Sequence, residues 1–240
     1  MSEAAVLPLA PSTPRETDRM LWLTGVLLVS FASLLLELAL TRLFSVILFY
    51  HFAFLAISIA LLGLGAGGVF AYLRKGWLDR WSTRPLAAAI CLLNAVAIVA
   101  VLEADLHFSV ALNITPANLL RLTAIYLISA LPFFFTGVLL SVVFARRASG
   151  IASLYAWDLA GAALACLAIV PLLNLIGGPS TILMAAAAMA SAAALWAECS
   201  AVRKGSIALA LALAALAVAN YSGRFVDIVY AKGMRRDAPW

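Results

Sequence analysis

Four ionisable side chains stand inside or at the edge of long apolar runs, where a charge has to be matched by something. Glu37 and Arg42 close the run Leu36-Glu37-Leu38-Ala39-Leu40-Thr41-Arg42, His51 opens the next run, and Asp158 follows Tyr155-Ala156-Trp157. A carboxylate away from water binds a cation or a proton, and an arginine binds a carboxylate or phosphate. Glu37 and Arg42 are five residues apart, about 140° of helical rotation, so they do not share a face. Asp158 shares its face with Gly161, Ala162 and Ala165, at i+3, i+4 and i+7. That small-residue face lets a second helix come close beside the carboxylate. The expectation is an Arg42–Asp158 contact between helices, with Glu37 in the same interior polar cluster and His51 completing a substrate-binding set. Two readings stay open: an ion pair that locks the bundle, or a polar site for a small cationic or zwitterionic ligand or a proton. His51 also fits an interfacial histidine, and Asn94 fits a hydrogen bond between helices.

Ordinary catalytic chemistry has no residues to work with. There is no Ser/His/Asp set, no zinc spacing and no phosphate loop, and His51 and His107 are the two histidines. No catalytic residue, metal site or cofactor is therefore expected. Cys91, Cys166 and Cys199 form no C-x-x-C and read as small buried hydrophobes. Gly63-Leu64-Gly65-Ala66-Gly67-Gly68 contains the letters of a dinucleotide fingerprint. It lies late in an apolar helix, with no strand before it, and reads instead as a close-packing Gly63-x-x-x-Gly67 face.

The elements that carry these residues are membrane helices. Of 240 residues, 65% are apolar and 11% charged, and mean hydropathy is +1.08. A soluble domain is about a quarter charged. The fold expected is all-α: a polytopic transmembrane bundle of about seven helices, spanning roughly Leu21–Leu43, Phe49–Leu73, Leu86–Glu103, Leu119–Ala145, Ile151–Ile176, Ser180–Trp196 and Ile207–Tyr221. Residues 1–19 read as a disordered polar tail, 20–221 as the membrane domain and 222–240 as a basic tail. The apolar run after Arg19 is too long for a signal peptide and reads as a retained first helix. Asp105–Asn118 reads as a link between spans.

Net charge is +5. The positive charges lie in short clusters between spans, which fits membrane topology and anionic headgroups rather than nucleic acid. Arg15, Arg19, Arg74, Lys75, Arg80, Arg84, Arg146, Arg147, Arg203 and Lys204 alternate onto one side, against Arg42 and Arg121 on the other. The positive-inside rule then places the N-terminus in the cytoplasm and, with seven crossings, the tail outside. That tail is itself basic (Arg224, Lys232, Arg235, Arg236), against the rule. The expected location is a bacterial inner (cytoplasmic) membrane, crossed several times.

Three stretches together carry a family resemblance: Leu34 to Leu43, Ala56 to Gly68, and Leu154 to Leu164, with Pro132-Phe133-Phe134-Phe135-Thr136-Gly137 fitting the same order. The set resembles the N-terminal membrane half of spermidine synthase-like integral membrane proteins over nearly the whole chain. In that family a helical domain precedes an aminopropyltransferase-like domain of Rossmann-like fold, which binds a decarboxylated S-adenosylmethionine-type cofactor and a polyamine. The resemblance implies that the transfer chemistry lies outside these 240 residues. It also implies a membrane module that binds, transports or anchors for a small cationic metabolite such as a polyamine. Its partners would be the lipid bilayer, the cationic ligand, and a membrane protein or separate soluble catalytic domain. A structural subunit of a larger membrane complex, or a fragment of an aminopropyltransferase-like enzyme, are the alternatives.

Overall fold

The computed structural model describes residues 16–47, 53–107, 116–220, 230–231 and 234–235. Among them α1 spans Glu16–Ile47, α2 Ala53–Leu73, α3 Lys75–Leu78, α4 Thr83–His107, α5 Pro116–Arg146, α6 Ile151–Trp196 and α7 Ser200–Ala219. A 3-10 turn at Ala148–Gly150 leads into α6, and Tyr230–Ala231 pairs antiparallel with Met234–Arg235. The fold is an all-α bundle. Six of the described helices are long and apolar enough to cross a membrane, as expected of chain in hydrocarbon, where a helix satisfies its own backbone polar groups. The chain is that of a multi-pass membrane protein.

The longest helix makes two crossings. At 46 residues α6 would be about 69 Å long if straight, against a hydrocarbon core of about 30 Å. It breaks at Gly177, where φ is 79° and ψ 174°, a region open in practice to glycine alone. Contacts along α1 show the path. Arg19 donates a hydrogen bond to Ser153 at 2.9 Å near the start of α6. Gly178 and Pro179 lie in one cleft with Arg42, near the other end of α1. Trp196, at the end of α6, then stacks on Trp22 with ring centroids 5.3 Å apart. Residues 151–176 therefore run parallel to α1, and residues 178–196 run back. The six apolar helices thus make seven crossings, with the fifth and sixth joined at Gly177.

The returning leg supplies much of the buried core through alanine. Ala185, Ala186, Ala190, Ala192 and Ala193 are fully enclosed beside Ile182 and Met189. α6 packs on α1, α7 and α4, and α5 packs between α2 and α4. At the far end Asn220 donates to Ser180 at 3.1 Å, which ties the end of α7 to the start of the returning leg. The helix begins earlier than expected: residues 16–19 form the first turn of α1 instead of the tail, because Asp18 and Arg19 find partners there. The link between the second and third crossings also holds the one-turn helix α3, and α4 runs through Asp105 to His107.

Two outcomes follow. Gly177→Ala should cost about 1–3 kcal/mol in unfolding experiments, since its backbone conformation disfavours any Cβ. Cys199 lies between α6 and α7 and is exposed. The backbone N–H groups of Val202 and Ala201 hold its thiol below the usual pKa. A membrane-impermeant maleimide should therefore label Cys199 at lower pH than free cysteine, and from the same side as Ser82→Cys. Labelling from opposite sides would refute the seven-crossing path.

Candidate functional site

One of the close seams lies between α1 and the first leg of α6. A Cβ built on Gly161 would fall on the backbone carbonyl oxygen of Leu27, so only glycine permits this approach. With the backbones this close, Asp158 meets Ser30, whose Oγ–H donates to its Oδ1. Ser30 is buried and Asp158 half-buried. Among the described residues no Arg, Lys or His forms an ion pair with Asp158. Glu37, also half-buried, stands seven residues beyond Ser30. Two helical turns return it to the same face of α1, about 10 Å further along the axis. Two carboxylates thus stand on one seam at staggered depths.

Arg42 does not join them. It is exposed, and with Asn174, Val170, Leu173 and Pro179 it lines a cleft of about 390 Å³ near the Gly177 break. Twelve residues separate it from Ser30, about 18 Å of helix rise. The expected Arg42–Asp158 contact is therefore not made. Opposite charges suggested the pairing, but helix register decides it: α1 and this leg run parallel, so Arg42 reaches the Gly177 end of the leg, while Asp158 bonds diagonally to Ser30 beside the Gly161–Leu27 contact. The expected single cluster of Glu37, Arg42 and Asp158 is divided the same way, with Asp158 at Ser30 and Arg42 at the Gly177 end of the first leg of α6. His51 lies outside the described residues.

A second polar seam was missed by the sequence reading. Asp105, expected at the start of a link, lies inside α4 at 2% exposure. Ser129 of α5 offers its hydroxyl to both carboxylate oxygens, at 3.3 and 3.4 Å. Asn94, eleven residues earlier, donates through Nδ2 to Thr136 Oγ1 at 3.0 Å, and Thr136 donates to the carbonyl of Pro132. The Oδ1 of Asn94 is buried without a partner. The expected interhelical role of Asn94 is thus observed. The signal in the sequence was the spacing: Thr83, Asn94 and Asp105 recur every eleven residues, close to three turns, and so share one stripe.

Basic residues gather at the opposite extreme of the bundle. Asp18 accepts from Arg147 at 3.2 Å and lies 3.6 Å from Arg84, which joins the start of α1, the start of α4 and the end of α5. Arg147 also lies over the Trp22 ring at 4.3 Å. Arg146 donates to the carbonyls of Leu78 and Trp81, to Thr83 and to Asp79. The arrangement is therefore cationic at one end and acidic within two seams. Among the described residues no group of His, Cys, Asp or Glu could hold a metal ion.

Gly161→Ala should cost about 1–3 kcal/mol, because α1 and α6 must part to admit the methyl. Gly205→Ala on α7, where a Cβ meets nothing within 4 Å, should stabilise by about 0.5–1 kcal/mol. Equal effects in detergent unfolding would contradict the packing described for the seam.

The chain matches no protein-family model, and no curated protein or solved structure is significantly similar to it.

Proposed function

We propose that this chain is a membrane module that binds a small cationic metabolite on the α1–α6 seam. The observation that carries the reading is Asp158: a half-buried carboxylate held by a serine hydroxyl, with no basic side chain in an ion pair with it among the described residues. A buried carboxylate without a counter-charge is costly, and a bound cation supplies one. Glu37, on the same face of α1, stands about 10 Å along the axis. Two acids at that spacing suit a ligand with more than one ammonium group, such as a polyamine. The resemblance to the membrane half of spermidine synthase-like proteins points to the same ligand class. In this reading the module binds or passes the amine, or anchors a soluble catalytic partner that uses it, and it performs no transfer chemistry itself. It sits in a bacterial inner membrane with the arginine-rich end in the cytoplasm, as the positive-inside rule favours.

A second reading has its own support. Asp158 is already hydrogen-bonded to Ser30 across a close-packed seam, the arrangement expected of a lock in a structural subunit.

Thermal unfolding in detergent separates the two. At a spermidine concentration 100 times its Kd, a ligand that binds only the folded chain adds about 2.7 kcal/mol. The binding reading expects the midpoint to rise with spermidine and Asp158→Asn to abolish the rise. A midpoint indifferent to spermidine, with Asp158→Asn merely lowering it, would leave the structural reading.

A further inference from the structure

The α4–α5 seam carries a second group that the proposed ligand site does not use. Thr83, Asn94 and Asp105 form one stripe on α4, and α5 meets them with Arg146, Thr136 and Ser129 in antiparallel order. Near the basic end the stripe is well supplied with donors, since Arg146 reaches Thr83 at 3.1 Å. Deeper in, donors run short. Asn94 is fully buried, and its Oδ1 accepts nothing. The two oxygens of Asp105 share one hydroxyl, and both distances are long for O–H···O. A carboxylate that is to remain charged in such surroundings needs several donors or a cation.

Among the described residues, the neighbouring elements supply no cation. On α4 itself, Glu103 and His107 lie two residues to either side of Asp105, about 160° round the helix, and they are exposed and 3.6 Å from each other. On α5 the titratable groups nearest in sequence to Ser129 are Tyr126, half-buried, and Arg121, exposed and about 80° away from the Ser129 face. α6 has no titratable residue between Gly177 and Trp196, and its Tyr155, Asp158 and Cys166 all precede the break. Among the described residues the carboxylate of Asp105 is thus left with one hydroxyl and no cation.

We propose that Asp105 is a proton-binding site, in which the carboxylate takes up a proton to become a carboxylic acid beside Ser129. The proton supplies the missing donor and removes the uncompensated charge. No bond other than O–H forms or breaks, and no other reactant is needed. The site is independent of Asp158: it lies on a different pair of helices.

Infrared difference spectroscopy of the full chain in lipid nanodiscs, recorded across a pH titration, tests this directly. The expected result is a carboxylic-acid C=O band that grows as pH falls and is missing in Asp105→Asn. Ser129→Ala should keep the band but shift its frequency, because one hydrogen bond to the carboxyl is lost. A pH-dependent band that is unchanged in Asp105→Asn, or no such band at all, would overturn the proposal. If Asp105→Asn does not fold, the Ser129→Ala spectrum decides: a shifted band supports the site, and an unshifted one overturns it.

Discussion

Apolar helices in hydrocarbon gain little by turning apolar faces to each other, so their association rests on how closely two backbones can come. In this bundle close approaches occur at glycine. On the α2–α5 seam Gly63 faces the carbonyl of Ala130, Gly67 that of Phe134, and Gly137 that of Leu64. On the α1–α6 seam Gly161 faces the carbonyl of Leu27, and Gly25 leaves room for the indole of Trp196. These are also the two most extensive helix pairings in the protein. The register of α6 on α1 determines which side chains meet across that seam. Asp158 meets Ser30 for that reason, and Arg42 is left beside Asn174.

The sequence made the membrane helices legible because seven long apolar runs have few other uses. The break between the fifth and sixth was legible too, since Gly177-Gly178-Pro179 interrupts an otherwise apolar stretch. The Gly63-x-x-x-Gly67 face was read as close-packing and serves as that, against α5. Partner choice was less accessible. Charge alone paired Arg42 with Asp158, whereas register depends on contacts between residues far apart in sequence. Asp105 failed for a different reason. An acid at the end of an apolar run looks like a boundary, and only the packing of α5 against α4 shows that the helix continues and encloses it. Glu16 to Arg19 failed in the opposite sense: polar residues looked like tail, but Asp18 and Arg19 pair with residues of other helices.

Charge is distributed in a way that gives the bundle direction. Arg84, Arg146 and Arg147 are drawn into ion pairs and carbonyl contacts at one end, and these contacts tie together the termini of α1, α4 and α5. The acids Asp158 and Asp105 lie along the seams, and among the described residues each is held by a serine hydroxyl. The proposed cation and proton sites lie in that interior, and basic helix ends are of the kind that face anionic headgroups. The two proposed sites lie on different helix pairs, Asp158 between α1 and α6 and Asp105 between α4 and α5.

Disulfide formation within the membrane tests the register most directly. A disulfide requires Cα atoms within about 7 Å. In a background with the native cysteines replaced, Ser30→Cys with Asp158→Cys should cross-link on mild oxidation, and Arg42→Cys with Asp158→Cys should not. Cross-linking of the second pair and not the first would show that α6 sits some twelve residues out of place on α1, and would contradict the account of the seam.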